Sequence, residues 1–155
     1  MSKSAGILMY KRAAGTILVL LVHPGGPFWS KRDQGAWSIP KGEYDGEDPQ
    51  EAARREFAEE TGEAPERDLL PLGEVRQKGG KQVVAFACEG DMDTARMHSN
   101  AFEMEWPPGS GRRQSFPEVD RSGWFSLAQA REKILEGQRP FLDRLERFCG
   151  GSDLA

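Results

Sequence analysis

Apolar residues near the start of the chain fall in short continuous runs. Ile7-Leu8-Met9-Tyr10 and the stretch Ile17 to Val22 predict strands over 5–11 and 16–23, joined by a hairpin turn at Ala13-Ala14-Gly15. Residues 24–36 are polar and rich in Gly and Pro, carry Phe28 and Trp29, and predict a loop. A short strand is expected over 36–39, with Pro40 discouraging its continuation. The pattern changes at Asp48-Pro49, an N-cap followed by proline at the first helical position. Helix formers run from Gln50 to Glu60, and Gly62 stands where a left-handed residue ends a helix, so a helix is predicted over 49–61. Strands follow at 70–77 and 81–88, with Lys78-Gly79-Gly80-Lys81 as their turn. Next come a strand at 101–106, a Pro- and Gly-broken loop over 107–117, a short strand at 122–125, and helices near 127–136 and 140–148. In the last helix Phe141, Leu142, Leu145 and Phe148 recur at helical spacing as a core-facing stripe. Strands on both sides of a central helix give a mixed α/β or α+β class with much antiparallel pairing.

Composition narrows the picture. The 155 residues are 37% apolar and 30% charged, which is a soluble globular balance. The net charge of −4 gives no broad basic surface, so nucleic acid is not an expected partner. Cys88 and Cys149 lie far apart and outside any CxxC pattern; this disfavours a disulfide framework or a zinc knuckle and fits a reducing, cytoplasmic setting. The apolar run 5–10 is too short for a secretory signal, and the uncharged stretch 13–30 is broken by Gly15 and by His23 to Pro27, so no membrane span is expected. No linker or repeat divides the chain, and one domain over 1–155 is the expectation. The oligomeric state is left open by the sequence.

The segment Gly42–Gly62 carries the chemistry. On a helix, Glu56, Glu59 and Glu60 share one face, where three like charges repel. A divalent cation offsets that repulsion, and carboxylate oxygens suit Mg²⁺ or Mn²⁺. Arg55 precedes Glu59 by one turn and can hold that carboxylate or a neighbour, while Ala52 and Ala53 leave room beside it. Lys41, Gly42 and Gly46 give a flexible loop leading to a helix N-terminus that favours anions. Together these features point to metal-assisted attack of water on a phosphate ester or anhydride.

Arg55-Glu56-Phe57-Ala58-Glu59-Glu60-Thr61-Gly62 resembles the second half of the Nudix box, REUxEExG with U apolar, and Gly42 and Glu47 resemble its opening glycine and first glutamate. The loop between Gly42 and Glu47 is one residue short of the usual spacing, and Glu63 stands where the box ends in an apolar residue. With Glu47 kept in register, the deletion falls in 43–46 and the helix starts near Asp48.

The resemblance implies a three-layer α/β/α sandwich with a mixed, largely antiparallel sheet. It also implies a hydrolase of a nucleoside diphosphate linked to some group X, with Mg²⁺ or Mn²⁺ as cofactor. Glu56, Glu59 and Glu60 would hold the metal, Gly42 would lend its carbonyl, and Glu56 and Glu59, with Arg55, would act on the water. A further acidic ligand is expected from a later loop: Glu118, with Glu103 and Glu105 as alternatives. Lys41, in a Pro-Lys-Gly stretch similar to that of dinucleoside-polyphosphate hydrolases, is a candidate for substrate contact, as are Arg112 and Arg113 as a phosphate clamp. Trp29, Phe28 and Trp37 are candidates for stacking a nucleobase, Trp29 foremost. Lys78 and Lys81 are expected to decorate a hairpin tip, and His23 and His98 have no assigned role. Nucleoside triphosphates and ADP-ribose-like sugar nucleotides are the other substrate classes. The rival is a Nudix-fold module that binds a nucleotide without cleaving it, which would be expected to lose box carboxylates that this chain keeps.

Overall fold

The computed structural model describes residues 3–153, with side chains described through Gly150. Strand β1 (Lys3–Ala13) turns into β2 (Thr16–Pro24), and the two pair antiparallel from Ala13↔Thr16 to Tyr10↔Val19. Their two-residue turn places Ala14 at φ 52° and Gly15 at φ 79°, the left-handed pair that matches the twist of a hairpin. Past Tyr10 the strands part, and residues 36–43 fill the wedge between them. Ser38 exchanges backbone hydrogen bonds with Val22, Ile7 N donates to the Pro40 carbonyl (3.1 Å), and β3 (Lys41–Glu43) pairs with the first half of β1. The strand expected over 36–39 is thus only two isolated bridges, at Trp37 and Ser38, and the regular strand begins after Pro40. Proline lacks an amide donor, but its carbonyl still accepts, so pairing resumes directly behind it.

Helix α1 (Pro49–Thr61) has the expected bounds. The Asp48 side chain accepts from Glu51 N, and Gly62, at φ 85°, donates its N–H to the Ala58 carbonyl. Its apolar face, Ala52, Ala53 and Phe57, packs on Ala5, Ile7, Met9, Leu20 and Phe86 of the sheet. Strands β4 (Leu70–Arg76) and β5 (Gln82–Glu89) form the second hairpin, with β5 parallel to β1; β6 (Ala101–Glu105) and β7 (Arg113–Pro117) form a separate antiparallel pair. Strand β8 (Val119–Ser126) runs antiparallel to β2, so the main sheet is ordered β4-β5-β1-β2-β8 with β3 on β1. Helices α2 (Leu127–Lys133) and α3 (Arg139–Asp153) cover the other face, where Leu8, Leu21, Val83, Phe141, Leu142 and Leu145 meet. The molecule therefore has the three-layer α/β/α arrangement with a mixed, mostly antiparallel sheet. Among the described residues no helix is long and apolar enough to cross a membrane.

Three further expectations are corrected. The stretch 107–117 is loop only as far as Arg112; its second half is β7, where Phe116 faces Phe102 across the hairpin. The helix expected to reach 136 stops at Lys133, and a 3₁₀ turn over Glu136–Gln138 leads into α3. The core stripe of α3 continues through Cys149 rather than Phe148, which is 49% exposed, because 141, 145 and 149 lie successive turns apart on one face.

Candidate active site

Strand β3 meets α1 through backbone rather than side chains. A Cβ at Gly42 would lie 1.7 Å from Glu56 Oε1, so only glycine admits that carboxylate against the strand. One residue earlier, Lys41 N donates to Glu60 Oε1 (3.2 Å). Arg55 gathers the remaining acids. Its guanidinium pairs with Glu47, donates to Glu56 (3.1 Å) and lies 3.8 Å from Glu59. Glu47 stands two residues before α1, so the register with the shortened loop holds.

Beside these carboxylates is a cavity of about 190 Å³. Lys41, Glu60 and Glu118 supply its charged groups, and Val22, Pro24, Trp29, Ala36, Ile39 and Leu135 most of its apolar wall. Burial pushes the Glu60 carboxyl up to about 8, against the hydrogen bond and charge of Lys41. Glu56 is raised by burial, with Glu59 and Glu118 adding repulsion, and Glu118 is raised by burial and then by Glu59. The Lys41 ammonium is lowered, first by burial and then by the charge of Lys81. Burial, more than mutual repulsion, raises these acids; Lys41 opposes the shift at Glu60 and Arg55 opposes it at Glu56.

The donor set fits a hard divalent cation in kind, being made of oxygen and of mutually repelling carboxylates. The side chains nevertheless fan out around Arg55. Among the described residues no three acidic, His or Cys side chains converge tightly enough to enclose an ion. Glu56 and Glu59 would have to turn from Arg55 to share a ligand.

Of the residues expected in the site, the fold brings Trp29, Lys41, Glu60 and Glu118 to one cavity, with Gly42, Arg55, Glu56 and Glu59 adjoining through their contacts. It does not bring Arg112 and Arg113 there. Both are exposed at the outer end of the β6–β7 hairpin, whose extended strand separates them from Glu118 by roughly 17–20 Å along the backbone. Arg113 pairs instead with Glu103 (3.4 Å). The alternatives to Glu118 are also spent elsewhere: Glu103 on Arg113, and Glu105 on the N–H groups of Gly109 and Gly111.

Of the three aromatics, Trp29 alone lines the cavity. Phe28 faces outward, and Trp37 is a core residue whose N–H donates to Asp33. Lys78 and Lys81 flank the β4–β5 turn as expected. His98 is exposed, whereas His23 is fully buried, with Nδ1 2.8 Å from Asp120 and Nε2 2.6 Å from the Arg32 carbonyl, and holds the 24–36 loop to β2 and β8.

Sequence reasoning missed the groups that shape the cavity floor. Gln138 is fully buried; its Oε1 accepts from Ile39 N (3.0 Å), and its amide donates to Ser38 and Gln77. No local pattern marks Gln138, because its partners lie 61 to 100 positions away.

A family model for the NUDIX domain matches residues 2–145. No curated protein matches the chain. Among solved structures, a C. elegans Ap4A hydrolase in a binary complex is 24% identical over 97% of this chain and 99% of its own, with a TM-score of 0.63. The NUDIX domain of Shewanella oneidensis NrtR, complexed with ADP ribose, is 17% identical over 95% and 87%, with a TM-score of 0.64. A mutT/nudix family protein from Listeria innocua is 17% identical over 99% and 96%, also at 0.64.

Proposed function

The chain belongs to the NUDIX domain family, and from that premise we propose that it hydrolyses a pyrophosphate bond in a nucleoside diphosphate linked to a further group, with Mg²⁺ or Mn²⁺ as cofactor. The observation that carries this reading is the meeting of Trp29, Lys41, Glu60 and Glu118 at one cavity beside the Gly42–Glu56 contact. Glu56, Glu59, Glu60, Glu118 and the Gly42 carbonyl would hold the cation. When bound, it neutralises phosphate oxygens and makes water easier to deprotonate. Glu56 and Glu59 would serve that water as bases on turning toward the cation, and Arg55, which now donates to Glu56 and lies 3.8 Å from Glu59, would stay beside them as a positioning cation. Lys41 faces the phosphate charge, and Trp29 gives the nucleoside an apolar face.

A dinucleoside polyphosphate or nucleoside triphosphate is the first substrate class, in line with the Ap4A hydrolase neighbour. The ADP-ribose-bound neighbour favours sugar nucleotides as the second. A phosphate-release screen over nucleoside triphosphates, dinucleoside polyphosphates and nucleotide sugars tests the reading. Turnover of at least one class is expected with Mg²⁺ or Mn²⁺, and none with chelator. A chain that binds nucleotides but cleaves no class under any metal would be a binding module instead.

A further inference from the structure

The β6–β7 hairpin does more than deliver Glu118. Along β6 and just beyond it, Phe102, Met104 and Trp106 are half-buried while Glu103 and Glu105 are exposed, so the apolar side of the hairpin has a partner. That partner is the loop 24–30. Gly25 N donates to the Glu118 carbonyl (2.9 Å), and a Cβ at Gly25 would lie 1.9 Å from the Pro117 carbonyl oxygen. A Cβ at Gly26 would come 3.0 Å from the Phe102 ring. The Phe28 ring then meets Trp106 edge to face, with centroids 5.4 Å apart and planes at 80°. The next residue, Trp29, lines the cavity.

The base of the hairpin is sewn to the catalytic helix. Asn100 N donates to the Glu59 carbonyl (2.9 Å), and Glu118 N donates to the Asn100 carbonyl (2.8 Å). A loop with two adjacent glycines has little stiffness of its own. Behind Trp29 the loop is held by its own bonds, Arg32 N to the Trp29 carbonyl (2.9 Å) and the Arg32 carbonyl to His23 (2.6 Å); ahead of Trp29, at Gly25 and Phe28, it is held by the hairpin.

We propose that the hairpin and the loop 24–30 form one aromatic clasp that sets Trp29 against Glu118 across the cavity, with Trp106 as its positioning residue. This rests on the reading of Trp29 as a nucleotide contact. Trp106 acts through Phe28 and Trp29. Removing its ring loosens the loop at Phe28 and Trp29 while leaving the main sheet and α1 in place, because the hairpin is a separate two-stranded unit.

The test uses the full chain and ADP as probe, with affinity read by calorimetry in Mg²⁺ and backbone hydrogen exchange read over residues 24–30. Trp106→Ala should weaken ADP binding about fivefold or more and raise exchange in the loop, and Trp106→Phe should restore both. On a Trp29→Ala background, Trp106→Ala should cost no further affinity. Phe28→Ala, at a site 63% exposed, should repeat the loss without threatening the fold, and so decides the matter if Trp106→Ala does not fold. Unchanged ADP affinity in the variants, or an equal loss on the Trp29→Ala background, overturns the clasp. Failure of the parent to bind ADP overturns it too. ADP binding with no turnover in the screen sinks the hydrolase reading alone.

Discussion

Glu60 bears the cost of burying a carboxyl beside the cavity. Its carboxyl is pushed up to about 8 from an ordinary 4.5, chiefly by burial. Between those values the folded chain keeps a proton that the unfolded chain has released, so stability is present at the acid end and falls as pH rises through the window. Glu56 and Glu118, both raised, add to the same slope. The melting temperature of the metal-free protein should therefore decline between pH 4.5 and about 8, and Glu60→Gln, which stays neutral, should flatten that decline in a calorimetric pH series. Mg²⁺ binds the ionised carboxylates and should restore stability most at the alkaline end. The same substitution should lower turnover about a hundredfold or more with the circular dichroism spectrum unchanged. Near-normal turnover at saturating Mg²⁺ would remove Glu60 from the metal set.

At the scale of elements, α1 was legible because its signals are local. Asp48-Pro49 and Gly62 mark its ends within a residue or two of the chain they control, and Asp48 caps Glu51 as the pattern requires. Asp48→Ala should cost about 1 kcal/mol in a denaturant titration with little change in substrate affinity. Strand β3 was misplaced because its partners, Ser4 to Gly6, are remote in sequence, and Pro40 locally discourages the strand expected before it from continuing. Strand β7 hid in the same way: Arg113-Gln114-Ser115 has no apolar alternation, and its pairing partner β6 defines it. That error also misdirected Arg112 and Arg113, since an irregular loop could fold over the cavity and a paired hairpin holds them away from it. The contact of β3 with α1 gives a sharper test. In Gly42→Ala the added methyl must push Glu56 aside, because the two would lie 1.7 Å apart. Metal affinity, read by Mn²⁺ titration, should fall about 10- to 100-fold. Unchanged Mn²⁺ affinity would mean that Glu56 does not act from its present position.

Across the whole molecule, the cavity depends on contacts that spacing cannot announce. Trp29, Lys41, Glu60 and Glu118 come from four separate segments: only Glu60 belongs to the helix that carries the motif, and the other three enter from a loop, from β3 and from the end of the β6–β7 hairpin. Gln138 links that assembly to the opposite layer. It lies between α2 and α3, yet it bonds Ile39 and Ser38 on the cavity floor and Gln77 at the end of the β4–β5 hairpin. Gln138→Leu keeps the volume and removes the amide. The Ile39 N–H and the Gln77 side-chain oxygen then lose their partner, and a buried unpaired polar group costs about 1–3 kcal/mol. The denaturation midpoint should fall accordingly with an unchanged m-value, since the folded state stays as compact. Ser38, itself in the cavity wall, loses the same partner, so KM should rise more than kcat falls. A midpoint shift without any change in KM would confine Gln138 to the core and detach the floor of the cavity from the layer beneath it.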